Sequence, residues 1–265
     1  MFPKLIFSDL DGTLLNSQQQ ITPRTQQAIL AAIAAGSKFI PVSARMPSAI
    51  TPLLQQMKLV TPLIAYNGAL IRNAHRESIK SMELPVKTAQ KICADVENKF
   101  SQLVWNVYGE DSWAAASTDH YWVPHEEQIV GLKAQRLATT SAIADFKLVH
   151  KVLLMGAPEA IKQAEPLISQ RYPALSIACS SPNLIEITAG GVEKKQAVSW
   201  LMNYYQVEPN AAIAFGDNYN DLGMLATVGT GYAMGNAPSQ IKTQIQHVTA
   251  DNDHDGIAAV LQQWF

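Results

Sequence analysis

The chain has 265 residues, 48% of them hydrophobic, with a formal net charge of -2 at pH 7 and an isoelectric point near 6.3. This near-neutral balance, without any long run of like charges, provides no basic surface for nucleic acid and excludes that class of partner from our expectations. No uncharged apolar stretch approaches the ~18 residues that a membrane-spanning helix needs, and no leader-like segment precedes the first strand, so we expect a cytoplasmic location without membrane attachment.

The first third of the chain alternates strand patterns with helical patterns. Thr22 and Pro23 predict a helix start, because threonine is a good N-cap and proline suits the first turn. The predicted elements are a strand at 5–7, a helix from 22 to Gly36, a strand at 39–42, a helix at 47–57 and a strand at 63–66. Strands joined by single helices through short connections favour a parallel sheet with right-handed crossovers.

The pattern changes from about residue 83 to residue 182. The predicted elements of this stretch are a helix at 86–100, a strand at 152–155, a helix at 158–170 and a strand at 175–179. Its length of roughly 100 residues is a common domain size, so it can fold on its own.

Two sets of side chains in this stretch have alternative interpretations. Cys93 and Cys179, the two cysteines of the chain, lie outside any metal-ligand spacing and are interpreted as buried core thiols in a reducing compartment. Five aromatic residues fall close together in the sequence: Trp105, Tyr108, Trp113, Tyr121 and Trp122. They either fill the core of a small sheet, which we favour, or stack on a sugar or heterocycle.

The alternation of strands and helices resumes after residue 183. The predicted elements are a strand at 184–187, a helix at 192–205, a strand at 211–215, a short helix from Tyr219, a strand at 231–234 and a helix at 256–264. The sequence therefore predicts an α/β protein with a doubly wound, mostly parallel, Rossmann-like core. That core is formed by residues 1–82 and 183–265 and is interrupted by an inserted α/β domain at 83–182.

Two carboxylates follow the first predicted strand, in the pentapeptide from Asp9 to Thr13. In an extended segment Asp9 and Asp11 project to the same side, and Gly12 allows a sharp turn after them. Crowded carboxylates repel each other unless a cation lies between them, so the pattern favours a divalent metal site. The alternative is a polar β-turn, since Asp, Gly and Thr are common turn residues.

Each later strand of the predicted core also ends in polar residues of the ligand type. The carboxyl ends of parallel strands meet at one edge of the sheet, where open α/β sheets bind their ligands. Helix starts just after such strands direct amide donors toward an anion, and carboxylates there suit magnesium. The segments are 43–45 with Ser43, Ala44 and Arg45, then Asn67 with Gly68, and 216–221 with Asp217, Asn220 and Asp221.

Lys194 opens a later predicted helix, at a position from which a cation could reach the same cleft; the alternative, which this residue alone favours, is an ordinary solvated lysine. Together, however, the motifs resemble the haloacid dehalogenase superfamily of phosphohydrolases in their order along the chain. The matches are DxDGT at 9–13, the phosphate-binding serine at 43, the motif lysine at 194 and GDxxND at 216–221. The insert between the second and third motifs, with Asn67-Gly68-Ala69 and Gly235-Asn236-Ala237, is similar to the Cof-type subfamily, whose α/β cap covers the active site.

The resemblance implies a role for each of the principal residues. Asp9 would attack phosphorus and become an aspartyl phosphate, and Asp11 would protonate the leaving group and then deprotonate water. Ser43 and Lys194 would hold the phosphoryl oxygens. Mg²⁺ would be held by Asp9, the backbone carbonyl of Asp11 and Asp217.

The remaining site residues receive supporting roles from the same resemblance. Asp221 orients waters or Lys194, and Asn220 touches phosphate or supports its loop. Arg45 and Asn67 either line the cleft near the substrate or brace a loop. Ala44, with Gly68, completes the predicted phosphate-binding set.

The sequence departs from the Cof-type pattern at two positions. Ala44 stands where the subfamily commonly has glycine, so its methyl group would narrow the approach of phosphate to the backbone. Lys195 replaces a glycine that often follows the motif lysine, which leaves two candidates for the catalytic cation. Register favours Lys194.

The expected function is a magnesium-dependent phosphatase for small organic phosphomonoesters. Sugar phosphates are the first expected class, and nucleotide or cofactor phosphates, such as flavin mononucleotide or pyridoxal phosphate, are the next. Two alternatives stay open: a phosphomutase or phosphotransferase on the same fold, and a non-catalytic module that binds a phosphorylated metabolite. The sequence leaves the oligomeric state open.

Overall fold

The computed structural model describes residues 2–265. The strands are β1 (Leu5–Ser8), β2 (Lys38–Pro41), β3 (Leu63–Ala65), β4 (Leu70–Arg72), β5 (Ser78–Ser81), β6 (Val104–Gly109), β7 (Ser112–Ala115), β8 (Gln135–Arg136), β9 (Lys151–Met155), β10 (Ser176–Ser181), β11 (Leu184–Thr188), β12 (Ala212–Gly216), β13 (Thr230–Ala233) and β14 (His247–Val248). The α-helices are α1 (Pro23–Ala34), α2 (Pro47–Gln56), α3 (Val86–Lys99), α4 (Trp122–Val130), α5 (Pro158–Arg171), α6 (Lys194–Tyr204), α7 (Leu222–Thr227), α8 (Ser239–Lys242) and α9 (Gly256–Leu261). Among the described residues, no helix has the length and apolar character needed to cross a bilayer.

The chain divides into two compact units. The first combines the described residues before Arg45 with Ile50–Lys80 and Glu193–Phe265. The second combines Arg45–Ala49 with Ser81–Val192. The chain therefore leaves the first unit after Lys80 and returns to it at Glu193.

The first unit contains a five-stranded parallel sheet with the strand order β14-β13-β12-β1-β2. Strand β1 is an interior strand: Phe7 lies opposite Ala214 of β12 on one side and Ile40 of β2 on the other. The connection after β1 leads to β2 and the connection after β12 leads to β13, so the two leave the carboxyl edge in opposite directions and open a crevice between them. The predicted doubly wound, mostly parallel core is confirmed.

Helices bury the faces of this sheet, which is why its strands are continuous apolar runs. Leu5 and Phe7 belong to one core cluster with Val198 and Leu201 of α6 and Leu225 of α7. Alternation along β1 directs Ile6 to the opposite side, and α1 packs against α9. The predicted start of α1 is also observed, since the Thr22 side chain accepts a hydrogen bond from Thr25 N.

The second unit contains a six-stranded sheet with the order β10-β11-β9-β6-β7-β8. Its pairs are antiparallel except β7 with β8. Trp105, Val107, Leu154 and Ile187 on one face pack with apolar residues of α3 and α5. This unit therefore has a hydrophobic core of its own.

The segment 184–187 forms a strand, β11, but not in the sheet that the sequence predicted. The sequence assigns this segment to the parallel core, but β11 pairs antiparallel with β9 and β10 in the second unit. The prediction failed because a short apolar run does not reveal its partner strand. The second unit accordingly ends at Val192 rather than at residue 182.

Exposure decides the interpretation of the cysteines and aromatic residues. Cys93 is buried as predicted, but the prediction for Cys179 is wrong, because β10 is an edge strand and this thiol is exposed. Trp105, Tyr108 and Trp113 are at most 4% exposed and fill the interior, whereas Tyr121 is 75% exposed. The core interpretation thus holds for the first three aromatic residues.

Two neighbouring residues of α5 test the core of the second unit. Ile168 is 4% exposed and Leu167 is 55% exposed. Ile168→Ala should lower the free energy of unfolding by about 2–4 kcal/mol, because it removes buried methyl groups and leaves a cavity. Leu167→Ala, the matched control, should change it by less than about 0.5 kcal/mol. Urea unfolding followed by tryptophan fluorescence measures both, and equal losses would contradict the assignment.

Candidate active site

The two carboxylates of the DxDGT segment lie in a tight loop that follows β1. Asp9 N donates to Phe215 O at 3.0 Å, which continues the pairing of β1 with β12. Leu14 N and Leu15 N then donate to Asp9 O and Leu10 O, at 3.3 and 2.8 Å. Gly12 has φ +80°, a value that favours glycine, so the chain can reverse immediately after Asp11.

Lys194 links the loop after β1 to the loop after β12. Its Nζ donates to Asp9 Oδ1 at 2.6 Å and to Asp221 Oδ1 at 2.7 Å. Lys194 is 2% exposed, Asp9 6% and Asp221 0%. The solvated alternative for Lys194 is therefore wrong. Lys195 is exposed, and the catalytic role expected for Lys194 stays a prediction.

Asp221 uses both of its carboxylate oxygens for protein contacts. One accepts from Lys194, and the other accepts from the backbone N–H groups of Asp217 and Asn218 at 3.1 and 2.9 Å. A side chain on Gly216 would collide with Asp221, since a Cβ there would lie 2.5 Å from the Asp221 Cβ. Asp221 thus orients Lys194 and fixes the loop that carries Asp217.

Asp217 lies against the DxDGT loop. Thr13 Oγ1 donates to Asp217 Oδ1 at 2.7 Å, across 204 residues of sequence. A Cβ on Gly12 would lie 2.5 Å from Asp217 Oδ2, so only glycine leaves room for this carboxylate. The role of Thr13 has no local sequence signal, because its partner is so distant in the chain.

Negative charge exceeds positive charge in this pocket. Burial raises the pKa of Asp9 well above its usual range, and Asp221, Asp217 and Asp11 add to that effect while Lys194 opposes it. Burial also raises the pKa of Asp217 to about 6, against the hydrogen bond from Thr13. Burial disfavours the charged form of Lys194, but Asp221 and Asp9 outweigh it and raise its pKa. One lysine does not neutralise three carboxylates.

A divalent cation fits this donor set. Asp9, Asp217 and Asp221 each offer one carboxylate oxygen, and these oxygens lie within 4.8 Å of one another. Hard cations such as Mg²⁺ prefer oxygen ligands of this kind. Since both oxygens of Asp221 are already hydrogen-bonded, Asp9 and Asp217 are the better candidate ligands. Asp11 is exposed, and its backbone carbonyl as a ligand stays a prediction.

The predicted phosphate-binding residues lie at neighbouring strand ends. Ser43 N donates to Ile64 O, and Asn67 N donates to Ser43 O, each at 2.9 Å. Asn220 Nδ2 donates to Asn67 Oδ1 at 3.2 Å. The structure thus brings Ser43, Asn67 and Asn220 together, although their contact with phosphate stays a prediction.

The backbone around Asn67 explains its glycine neighbour. Tyr66, Asn67 and Gly68 have φ values of 53°, 56° and 112°, three consecutive positive angles. A Cβ on Gly68 would lie 2.8 Å from Glu193 O, just before Lys194. Gly68 therefore permits close packing against the start of α6. Ala44 and Arg45 are half-buried, and their predicted roles stay predictions.

Comparison with known proteins identifies the family. A model of the haloacid dehalogenase-like hydrolase family matches residues 6–261. A protein of Haemophilus influenzae is 38% identical over 268 residues, covering 100% of this chain and 99% of the relative. The pyridoxal phosphate phosphatase YbhA of Escherichia coli is 30% identical, covering 97% of each chain. The crystal structure of a haloacid dehalogenase-like hydrolase from Bacteroides thetaiotaomicron has a TM-score of 0.92 at 26% identity, covering 99% of this chain and 100% of that chain.

With the buried carboxylates and Lys194 at the end of a parallel sheet, these matches define the class of protein. The chain belongs to the haloacid dehalogenase-like hydrolase family, which confirms the resemblance found in its motifs. More particularly, it is an enzyme that hydrolyses phosphoric monoesters. The non-catalytic alternative is thereby overturned.

Substitution of the two adjacent lysines tests which of them holds the carboxylates. Lys194→Met should lower the free energy of unfolding by about 3–5 kcal/mol in metal-free buffer, because it leaves buried Asp9 and Asp221 without their cation. Lys195→Met should leave the unfolding midpoint unchanged, since that side chain is exposed. Chemical denaturation in the presence of a chelator measures both. Greater destabilisation by Lys195→Met would reverse the assignment.

Proposed function

We propose that this enzyme is a magnesium-dependent phosphatase that cleaves small organic phosphomonoesters through an aspartyl phosphate on Asp9. The observation that carries the proposal is the convergence of buried Asp9 and Lys194 with half-buried Asp217 at the carboxyl end of β1. A nucleophilic carboxylate needs a site that binds a phosphoryl dianion despite its own charge. This pocket supplies a fixed lysine and carboxylate oxygens for a divalent cation.

Asp9 is the nucleophile in this proposal. Lys194 fixes this carboxylate through its hydrogen bond to Asp9 Oδ1. A bond from a carboxylate oxygen of Asp9 to phosphorus forms as the bond from phosphorus to the ester oxygen breaks. Asp11 gives its proton to the departing oxygen, and it later takes a proton from the water that hydrolyses the aspartyl phosphate. Asp9 is thereby restored for the next turnover.

Asp9 and Asp217 would hold Mg²⁺, together with the backbone carbonyl of Asp11. When bound, the ion offsets the charge of the phosphate and of the nucleophile, which is the usual contribution of a Lewis acid to phosphoryl transfer. Thr13 and Asp221 keep this set in place, one through the Asp217 side chain and the other through its backbone. The residues that would bind the metal are therefore fixed in position before the substrate binds.

The phosphoryl oxygens would be held by Lys194 and by residues at the ends of β2 and β3. Ser43 lies at this edge of the sheet and is 1% exposed. Asn67 and Asn220, which share a hydrogen bond, would form one wall with Gly68. Ala44 and Arg45 complete the predicted set.

The part of the second unit from Ser81 to Val192 would act as the cap that selects the leaving group. A separate core of its own allows such a unit to vary without disturbing the catalytic residues. The 30% identity with a pyridoxal phosphate phosphatase supports cofactor phosphates as substrates beside the sugar phosphates expected from the sequence. Two free cysteines suit a reducing compartment, and we place the enzyme in the cytoplasm.

Replacement of the nucleophile tests the proposed chemistry. Asp9→Asn should lower kcat by about 10³-fold or more with little change in the fold, because it removes the attacking oxygen and conserves shape. Acid quenching of the wild-type enzyme with ³²P-labelled substrate should leave label on the protein, and Asp9→Asn should carry none. Circular dichroism serves as the folding control.

The same labelling experiment separates hydrolysis from transfer. Release of labelled inorganic phosphate supports the phosphatase, whereas label on an added sugar hydroxyl would favour the phosphotransferase alternative. Wild-type activity in Asp9→Asn would refute the nucleophile. Ranking sugar, nucleotide and pyridoxal phosphates by kcat/KM then identifies the preferred leaving group.

Metal binding is testable without turnover. Mg²⁺ should raise the Tm of the chelator-treated wild-type protein. At 100 times its dissociation constant, the ion should add about 2.7 kcal/mol to the free energy of unfolding. Asp217→Asn should lose most of this increase, because it removes a candidate ligand, whereas Asp119→Asn at an exposed position should keep it. Activity should disappear with the chelator and return with Mg²⁺. An equal Tm increase in Asp217→Asn would contradict the ligand assignment.

A further inference from the structure

We propose that Asn236 and Asn252 are positioning residues that hold the loop carrying Asp11 in its active conformation. This inference rests on the proposed function, because it takes Asp11 as the acid that protonates the leaving group. The two asparagines follow β13 and β14, at the same end of the parallel sheet as Asp9. Neither belongs to the predicted catalytic or metal-binding set.

The two side chains contact both ends of the turn that follows Asp11. Asn236 Nδ2 donates to Gly12 O at 2.8 Å, and Asn252 Nδ2 donates to Leu15 O at 2.9 Å. The asparagines are also joined to each other, since Asn252 N donates to Asn236 Oδ1 at 3.2 Å. Two hydrogen bonds therefore connect the segment from Gly12 to Leu15 to this pair of side chains, and a third joins the two asparagines.

The two loops that carry Asn236 and Asn252 are fixed by contacts of their own. Gly235 N donates to Ala250 O at 3.2 Å, and a Cβ on Gly235 would lie 2.7 Å from Asp251 N, so the two loops pack backbone to backbone. Lys242 Nζ donates to Gly235 O at 2.8 Å. On the other loop, the Asp251 side chain accepts from the N–H groups of Asp253 and His254. The asparagines are thus presented by loops that are fixed at several points.

The hydrogen bond to Gly12 O is placed where it can orient Asp11. A carbonyl and the following N–H share one planar peptide unit, so Asn236 fixes the plane between Gly12 and Thr13. The Thr13 side chain is fixed as well, because its Oγ1 donates to Asp217 Oδ1 at 2.7 Å. Asp11 is exposed and directly precedes this glycine, whose φ of +80° gives the chain conformational freedom. External hydrogen bonds compensate for that freedom.

Leaving-group dependence distinguishes positioning of Asp11 from general support of the fold. An alkyl phosphate needs a proton on its leaving oxygen, whereas nitrophenolate departs without one. Loss of the acid therefore affects kcat/KM for alkyl esters more than for nitrophenyl phosphate. The parameter kcat/KM is the correct measure, because it reports the steps up to the first departure of the leaving group.

The experiment compares Asn236→Ala, Asn252→Ala and the reference variant Asp11→Asn with the wild-type enzyme. For alkyl phosphomonoesters, each asparagine variant should lower kcat/KM by about 10-fold or more, part of the ~10²–10⁴-fold contribution of a general acid. For nitrophenyl phosphate the loss should stay below about 3-fold, because that reaction does not need the acid. Asn203→Ala, at an exposed position of α6, is the matched control and should change neither value.

Hydrogen exchange supplies a readout that does not depend on turnover. Peptides covering residues 10–17 should exchange faster in Asn236→Ala and Asn252→Ala than in the wild-type protein or in Asn203→Ala. Unchanged exchange in these peptides would overturn the inference. A second result would also overturn it: the asparagine variants lose kcat/KM equally with both ester classes, while Asp11→Asn shows the expected larger loss with alkyl esters.

Failure of the proposed function would look different. In that case Asp11→Asn itself would show no dependence on the leaving group, and the acid role would be refuted. Faster exchange of the loop in the asparagine variants would then still support the positioning of the loop, and unchanged exchange would still reject it.

Discussion

The buried ammonium group of Lys194 is the interaction on which this site depends. It lies between Asp9 and Asp221 at 2.6 and 2.7 Å, and all three side chains are nearly inaccessible to solvent. Removing charges from water is costly, so such a group is stable only when every partner is present. The contact therefore ties Asp9, after β1, to the start of α6 and to the loop after β12.

The parallel sheet brings further loops to this contact. Strands β1, β2 and β12 end at one edge, so loops that are distant in sequence become neighbours. Glycine is required where carboxylates approach these loops: Gly12 leaves space for Asp217, and Gly216 leaves space for Asp221. The excess negative charge that results is what makes the pocket suitable for a divalent cation and, with it, for a phosphate.

The sequence was sufficient to predict the parallel core, the family and the convergence of Asp9 with Lys194 and Asp217, because ordered motifs at strand ends define a site regardless of exact boundaries. It failed for Leu184–Thr188, since an apolar pattern does not identify a partner strand. It also missed the contacts of Thr13, Asn236 and Asn252, which depend on loop conformation. The exposure of Cys179 followed from its place on an edge strand, which only the strand order reveals.

The pairing of β1 with β12 has a consequence for how the protein is made on the ribosome. Ile6 pairs with Ile213, so β1 emerges early but gains its second neighbour, β12, only after most of the chain has been synthesised. In the interval, the second unit can already fold around its own core. Closing the parallel sheet across so long a separation is intrinsically slow. A nascent chain thus exposes an unpaired apolar strand edge for much of its synthesis, which makes early chaperone engagement advantageous.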